Sequence, residues 1–256
     1  APLRLNHVRR LTAAQRYPEA LQAIERLTLA EPEFAPARLM QGALLIELAR
    51  PAEAQRSLQR YLDLRQASLA TAAAPAAEDE DEDSPPEVAP GGDDGRAELN
   101  QAYLMLSQAA EQLKDYAGAQ RWLDKLGEVQ NTPAVVLRRA GLLARDGRID
   151  EALALSRTLP ERTPEEIRTR ALGEAQLLRD ARRWSQAHAV LEQGNQRLPN
   201  DPDLLYEQAL VAEKLARFDE MERLLLRVIE LKPDQQHAYN ALGYSLADRQ
   251  LDLPRA

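Results

Sequence analysis

Cysteine is absent from this 256-residue chain, and phenylalanine and tryptophan occur only twice each. The lack of Cys removes disulfides and thiolate metal sites. β-Branched residues are sparse, which argues against a sheet protein. No apolar run approaches the ~20 residues that a helix needs to span a bilayer. The three histidines, His7, His188 and His237, are too scattered to supply paired metal ligands four residues apart. There is no His-Glu-x-x-His pattern, no Gly-rich phosphate loop and no Gly-x-Ser-x-Gly. No catalytic residue, metal site or cofactor is therefore assigned. Basic residues are missing from the whole window between Gln66 and Gly95. That window holds nine carboxylates, Glu78, Asp79, Glu80, Asp81, Glu82, Asp83, Glu87, Asp93 and Asp94. They account for the net charge of −8 and leave the rest close to neutral. Neither a nucleic-acid patch nor a basic membrane face is indicated.

What the chain has in abundance is Ala, Leu, Glu, Arg and Gln, a helix-forming mixture. These residues recur with a period. A small residue follows an aromatic or apolar one by three at Tyr17–Ala20, Tyr116–Ala119, Ile149–Ala152 and Trp184–Ala187. Ala54 and Met221 fall in the same frame, Met being flexible enough to stand for a small residue. Four residues on comes an apolar side chain, at Ile24, Leu58, Leu123, Leu191 and Leu225, with Ser156 as the exception. Successive copies lie 33–35 residues apart outside the acidic window. A second series of mostly small residues, Val8, Gly42, Ser107, Ala140, Ala175, Ala209 and Gly243, keeps the same period. Thr132-Pro133, Thr163-Pro164 and Asp201-Pro202 each put a capping oxygen before a Pro suited to the first helical position. Glu166 completes a capping box with Thr163, and Gly147 sits where a left-handed residue ends a helix.

The pattern resembles the tetratricopeptide repeat, two antiparallel helices, A and B, in about 34 residues. The resemblance implies an all-α, right-handed superhelical solenoid of about six and a half repeats. Repeats are expected at 1–34, 35–68, 100–132, 133–166, 168–201 and 202–235, with helix A of a seventh from Gln236. In this frame Gly42, Ala54, Ala119, Ala140, Ala152, Ala187 and Gly243 are structural. They sit where helices A and B cross too closely for larger side chains. Residues 69–99 form an acidic insertion with almost nothing to bury, expected to be disordered. It is read as a solvated linker, with an acidic tether that competes with a basic partner as the alternative. It lacks the ligand spacing of a Ca²⁺ loop. Both ends of the chain look like cuts in a longer parent.

In this family the A helices line a concave groove. The resemblance therefore implies a groove of Gln108, Arg145, Gln176, Arg179, Tyr206, Lys214, Asn240 and Tyr244, which holds a protein or peptide. The Lys and Asn that chaperone-tail receptors of this family use as a carboxylate clamp are replaced here. Leu stands at the first of the two positions in five repeats, at Leu5, Leu39, Leu104, Leu137 and Leu172. That points to an apolar seam. The closing segment NALGYSLADR, Asn240 to Arg249, is similar to proteobacterial outer-membrane lipoproteins with these repeats. Some of them are adaptors that bring substrates to a carboxyl-terminal processing protease in the periplasm. This implies a non-enzymatic scaffold at the periplasmic face of the outer membrane, with that protease and its substrates as partners. Membrane attachment would come only through a lipid anchor outside this chain. Three alternatives stay open: the repeat region of a larger enzyme such as a glycosyltransferase, a self-oligomerising module, and a cytoplasmic location.

Overall fold

The computed structural model describes residues 1–72 and 93–248. Among them are thirteen α-helices and no strand. They come as A–B pairs: α1 (Pro2–Ala13) with α2 (Tyr17–Ala30), α3 (Ala35–Glu47) with α4 (Pro51–Ala72), and α5 (Asp93–Gln112) with α6 (Tyr116–Leu123). Then follow α7 (Pro133–Arg145) with α8 (Ile149–Ser156), α9 (Pro164–Asp180) with α10 (Trp184–Arg197), and α11 (Pro202–Lys214) with α12 (Phe218–Leu231). Helix α13 (Gln236–Asp248) is an A helix, and residues 249–256 lie outside the described part.

One turn chemistry makes every hairpin. The residue two positions after each A helix has positive φ: Gln15, Ala49, Lys114, Gly147, Arg182 and Ala216, between 53° and 82°. Its N–H donates to the carbonyl three residues back, and the next N–H donates to the carbonyl five residues back, as from Gln15 to Thr12 and from Arg16 to Leu11. This is the Schellman closure, which satisfies helix-end carbonyls and reverses the chain. Only the repeat at 133–166 fills the left-handed position with Gly. Ala49 is exposed there, so Ala49→Gly should relieve backbone strain and touch nothing else. Urea unfolding should show a gain of about 0.5–1 kcal/mol, and Gly147→Ala a loss of similar size.

Two of the three expected side-chain caps form; Thr132 occupies the N-cap position of α7, but its side chain makes no capping hydrogen bond there. Thr163 accepts from the Glu166 N–H while the Glu166 carboxylate accepts from the Thr163 N–H, a complete capping box. Asp201 accepts from Asp203 N–H and Leu204 N–H at 3.1 Å each, and Arg168 Nε donates to its other oxygen at 2.6 Å.

Small residues sit where the helices cross. Ala20, Ala54, Ala119, Ala140, Ala152 and Ala187 are fully buried, and Gly42 is buried. Gly243 is half-buried. A Cβ at Gly42 would lie 2.5 Å from Leu58 Cγ. The side chain that fills the space over this small residue is thus Leu58, one turn beyond Ala54. Around these crossings pack Val8, Ile24, Leu27, Leu44, Leu58 and Leu106. Each fully buried Leu or Ile contributes about 1.5–3 kcal/mol.

The chain divides into two compact units, Ala1–Gln130 and Asn131–Ala256. In the first, α4 and α5 pack directly, so the second and third repeats stack on each other despite the insertion between them. Residues 69–72 and 93–99, placed in the insertion by their sequence, are helical. Ala67, Ala70 and Ala97 favour helix, and contacts across the pair hold the ends together. Tyr61 Oη donates to Glu98 Oε2 at 3.2 Å, and Arg65 lies 3.9 Å from the same oxygen. The expectation of disorder for the rest, 73–92, falls outside the described residues. After α6 the chain continues in 3₁₀ turns over Asp124–Asn131, broken at Gly127, where φ is 59° and ψ is −128°.

In the second unit one core surrounds Ala140, Ala152, Leu178, Leu191 and Leu204. Another surrounds Ala209, Met221, Leu225, Val228 and Ala238. A buried polar network joins α10, α11 and α12. His188 Nε2 lies 2.7 Å from Glu220 Oε1, which also accepts from Gln208 Nε2 at 2.8 Å. Burial pushes the Glu220 carboxyl up, but His188, Gln208 and Arg217 together outweigh it and hold it below the usual carboxylate range.

Candidate functional site

In the second unit the A helices α7, α9, α11 and α13 present one face that no B helix fully covers. Three cavities lie along it. The first, about 500 Å³, is between α7 and α9, floored by Leu137, Gly141, Ala144, Gly173 and Leu177. Arg145, Gln176 and Asp180 stand exposed at its mouth. The second, about 420 Å³, is between α9 and α11, lined by Leu172, Gln176, Asp203, Tyr206 and Glu207. The third, about 370 Å³, includes Leu210, Ala241 and Tyr244, with Phe218 and Met221 from α12 beneath. Tyr244 is 78% exposed although it is a large aromatic side chain.

Of the residues proposed from sequence, Arg145, Gln176, Tyr206 and Tyr244 line this row of cavities. Arg179 is ion-paired with Glu207 on the next A helix. Lys214 lies 3.3 Å from Glu213, and Asn240 is exposed on α13. Gln108 is half-buried on α5, in the first unit. Sequence reasoning missed Gly173, Leu177, Phe218 and Met221. The last two come from a B helix, which the family's groove positions do not include. A signal existed for Gly173, since glycine inside a helix needs a reason.

The charges of this face are largely spent within it. Besides the Arg179–Glu207 and Lys214–Glu213 pairs, Asp203 takes Lys232 at 3.2 Å. Gln176 Nε2 donates to Asp180 Oδ1 at 2.7 Å. The face thus offers an apolar floor with amides and charges at its rim, a surface suited to a polypeptide.

Another cavity, about 590 Å³, opens among α8, α9 and α10 because α8 stops after eight residues, at Ser156. Its charges are paired from within. Arg157 holds the buried Glu174 at 2.6 Å, Arg170 and Arg197 hold Glu161 at 3.2 and 2.8 Å, and Arg183 holds Asp150 at 2.7 Å. This network staples a short helix and its following loop to the neighbouring pair. Among the described residues no group of three or more His, Asp or Glu is placed to hold a metal. No described helix is long and apolar enough to cross a membrane.

Six two-helix units with small-residue crossings and one shared turn define a tetratricopeptide-repeat fold. No protein-family model matches the chain. It is 32% identical, over 151 residues, to a TPR repeat-containing protein of Pseudomonas aeruginosa. The match covers 59% of this chain and 26% of that protein, so the chain spans about a quarter of that relative's length. The C-terminal part of a TPR repeat-containing protein from Cytophaga hutchinsonii has the same fold, with a TM-score of 0.50 at 12% identity. That comparison covers 98% of this chain and 90% of the other. The chain thus has an all-α tetratricopeptide-repeat fold.

Proposed function

We propose that this chain is a non-enzymatic scaffold that holds a polypeptide segment on the A-helix face of its second unit. The observation that carries this reading is the row of three cavities along α7, α9, α11 and α13, with exposed Tyr244 at one end. Large aromatics left exposed beside apolar cavities are the side chains that dominate binding energy.

The finer reading is an adaptor at the periplasmic face of the outer membrane, delivering substrates to a carboxyl-terminal processing protease. It is supported by the resemblance of the segment Asn240 to Arg249 and by the bacterial TPR relative. A lipid anchor outside this chain would supply the membrane attachment.

The test compares the wild type with Tyr206→Ala/Tyr244→Ala as baits in an envelope extract, read by quantitative mass spectrometry. Proteins enriched by the wild type should be lost from the double variant, while its helicity and Tm stay nearly unchanged. A processing protease among the lost proteins supports the adaptor reading, and its absence contradicts that reading. Undiminished capture of every enriched protein by the variant contradicts the groove itself.

A further inference from the structure

The cavity among α8, α9 and α10 is lined by four arginines, Arg157, Arg170, Arg183 and Arg197, against three carboxylates, Asp150, Glu161 and Glu174. Two of the pairings are one to one, Arg157 with Glu174 and Arg183 with Asp150. The third is not. Arg170 Nη1 and Arg197 Nη1 converge on the same oxygen, Glu161 Oε2, at 3.2 and 2.8 Å. Neither arginine has a second carboxylate among the described residues. One negative charge therefore answers two positive ones held close together. The Arg170 and Glu161 side chains are only 23% and 29% exposed, so solvent screens the excess poorly.

We infer that this cavity binds one carboxylate carried on an aliphatic group. The charge balance selects a monoanion. One carboxylate brings the lining to neutrality, and a doubly charged oxyanion overshoots it. Each guanidinium carries five N–H donors, and Glu161 engages few of them, which leaves donors that match the two oxygens of a carboxylate. The wall between the charges is aliphatic, made by Leu153, Ile167, Ala171, Leu178 and Val190. A C-terminal residue of a polypeptide and a free small acid share this chemistry. The cavity has no lining residue in common with the three along the A-helix face, so this site stands apart from the groove reading.

The experiment titrates the intact protein by calorimetry at constant ionic strength. The probes are N-acetyl-leucine, its uncharged C-terminal amide, and sulfate. N-acetyl-leucine should bind one to one, and the amide and sulfate should give no comparable heat. Arg170→Gln leaves one arginine to one carboxylate at Glu161. It should weaken binding at least about tenfold, the scale of one charge-assisted hydrogen bond, while the Tm without ligand stays level. Glu161→Gln enlarges the positive excess and should tighten binding. A tetrapeptide ending in leucine that binds more tightly than N-acetyl-leucine identifies a polypeptide C-terminus as the source. Equal or weaker binding by the tetrapeptide identifies a small acid.

Absence of binding by N-acetyl-leucine overturns the site. Equal binding by the amide or by sulfate overturns the carboxylate. Undiminished binding by Arg170→Gln, or weaker binding by Glu161→Gln, overturns the charge balance on which the inference stands. Tyr206→Ala/Tyr244→Ala should leave all of these titrations as they are.

Discussion

Tyr61→Ala is expected to destabilise the unit Ala1–Gln130 by about 3–5 kcal/mol, the range for deleting a large buried aromatic. Tyr61 is 1% exposed and ranks among the largest fully buried side chains. Its ring fills the space beneath α4, and its hydroxyl reaches Glu98 on α5. Burial and the neighbouring Glu98 carboxylate push its phenol up to about 12, so it stays a neutral donor at any physiological pH. The alanine variant loses the ring and the tie between two helices that 20 undescribed residues separate. Tyr61→Phe keeps the ring and should cost only about 1 kcal/mol, the net worth of one hydrogen bond. Guanidinium unfolding followed by circular dichroism separates the two. Equal losses for Ala and Phe would show that the hydroxyl, not the ring, holds the α4–α5 pair.

Ala152→Leu carries the second large effect, a loss of about 1–3 kcal/mol from overpacking. Ala152 has no exposed surface and lies in the core between α8 and its neighbours. Inserting an isobutyl group there must push α7 and α8 apart or force strained rotamers. Ala154, two residues along the same helix, is exposed. Ala154→Leu should therefore change stability by no more than about 0.5 kcal/mol. The contrast removes helix propensity from the comparison, since both variants make the same substitution on α8.

Much of the fold is readable from residues alone because its parts are local. The hairpin needs a helix-ending turn, a small crossing residue and an apolar stripe, and each leaves a mark within one repeat. Thr163, Glu166, Asp201 and Gly147 do in the structure what their neighbours in sequence imply. Features set by distant residues are not readable in this way. The Arg179–Glu207 pair joins residues on different A helices, and the Arg157–Glu174 and Arg197–Glu161 pairs tie the loop after α8 to α9 and α10. Helical residues at 69–72 and 93–99 depend on α4 meeting α5, which local composition does not report.

The candidate site divides the same way. Arg145, Gln176, Tyr206 and Tyr244 follow from repeat position, since an A helix must turn one face away from its B partner. Gly141 stands at such a position too, but its place in the floor of the first cavity appears only with its neighbours in place. The cavity depends on Leu137 leaning onto Gly173 from the next helix. Phe218 and Met221 enter the third cavity from below, from a helix whose sequence reads as scaffold alone.

The packed hairpins depend on small residues hidden at helix crossings, and the absence of native Cys lets thiol chemistry test this directly. Each of Ala152→Cys, Ala187→Cys, Ala154→Cys and Ala189→Cys introduces a single thiol, the first two buried and the others exposed. Maleimide should label Cys at positions 154 and 189 at once, and at 152 and 187 only after urea unfolds the chain. Prompt labelling at 152 and 187 in the folded protein would contradict the packed-hairpin architecture and the groove built on it.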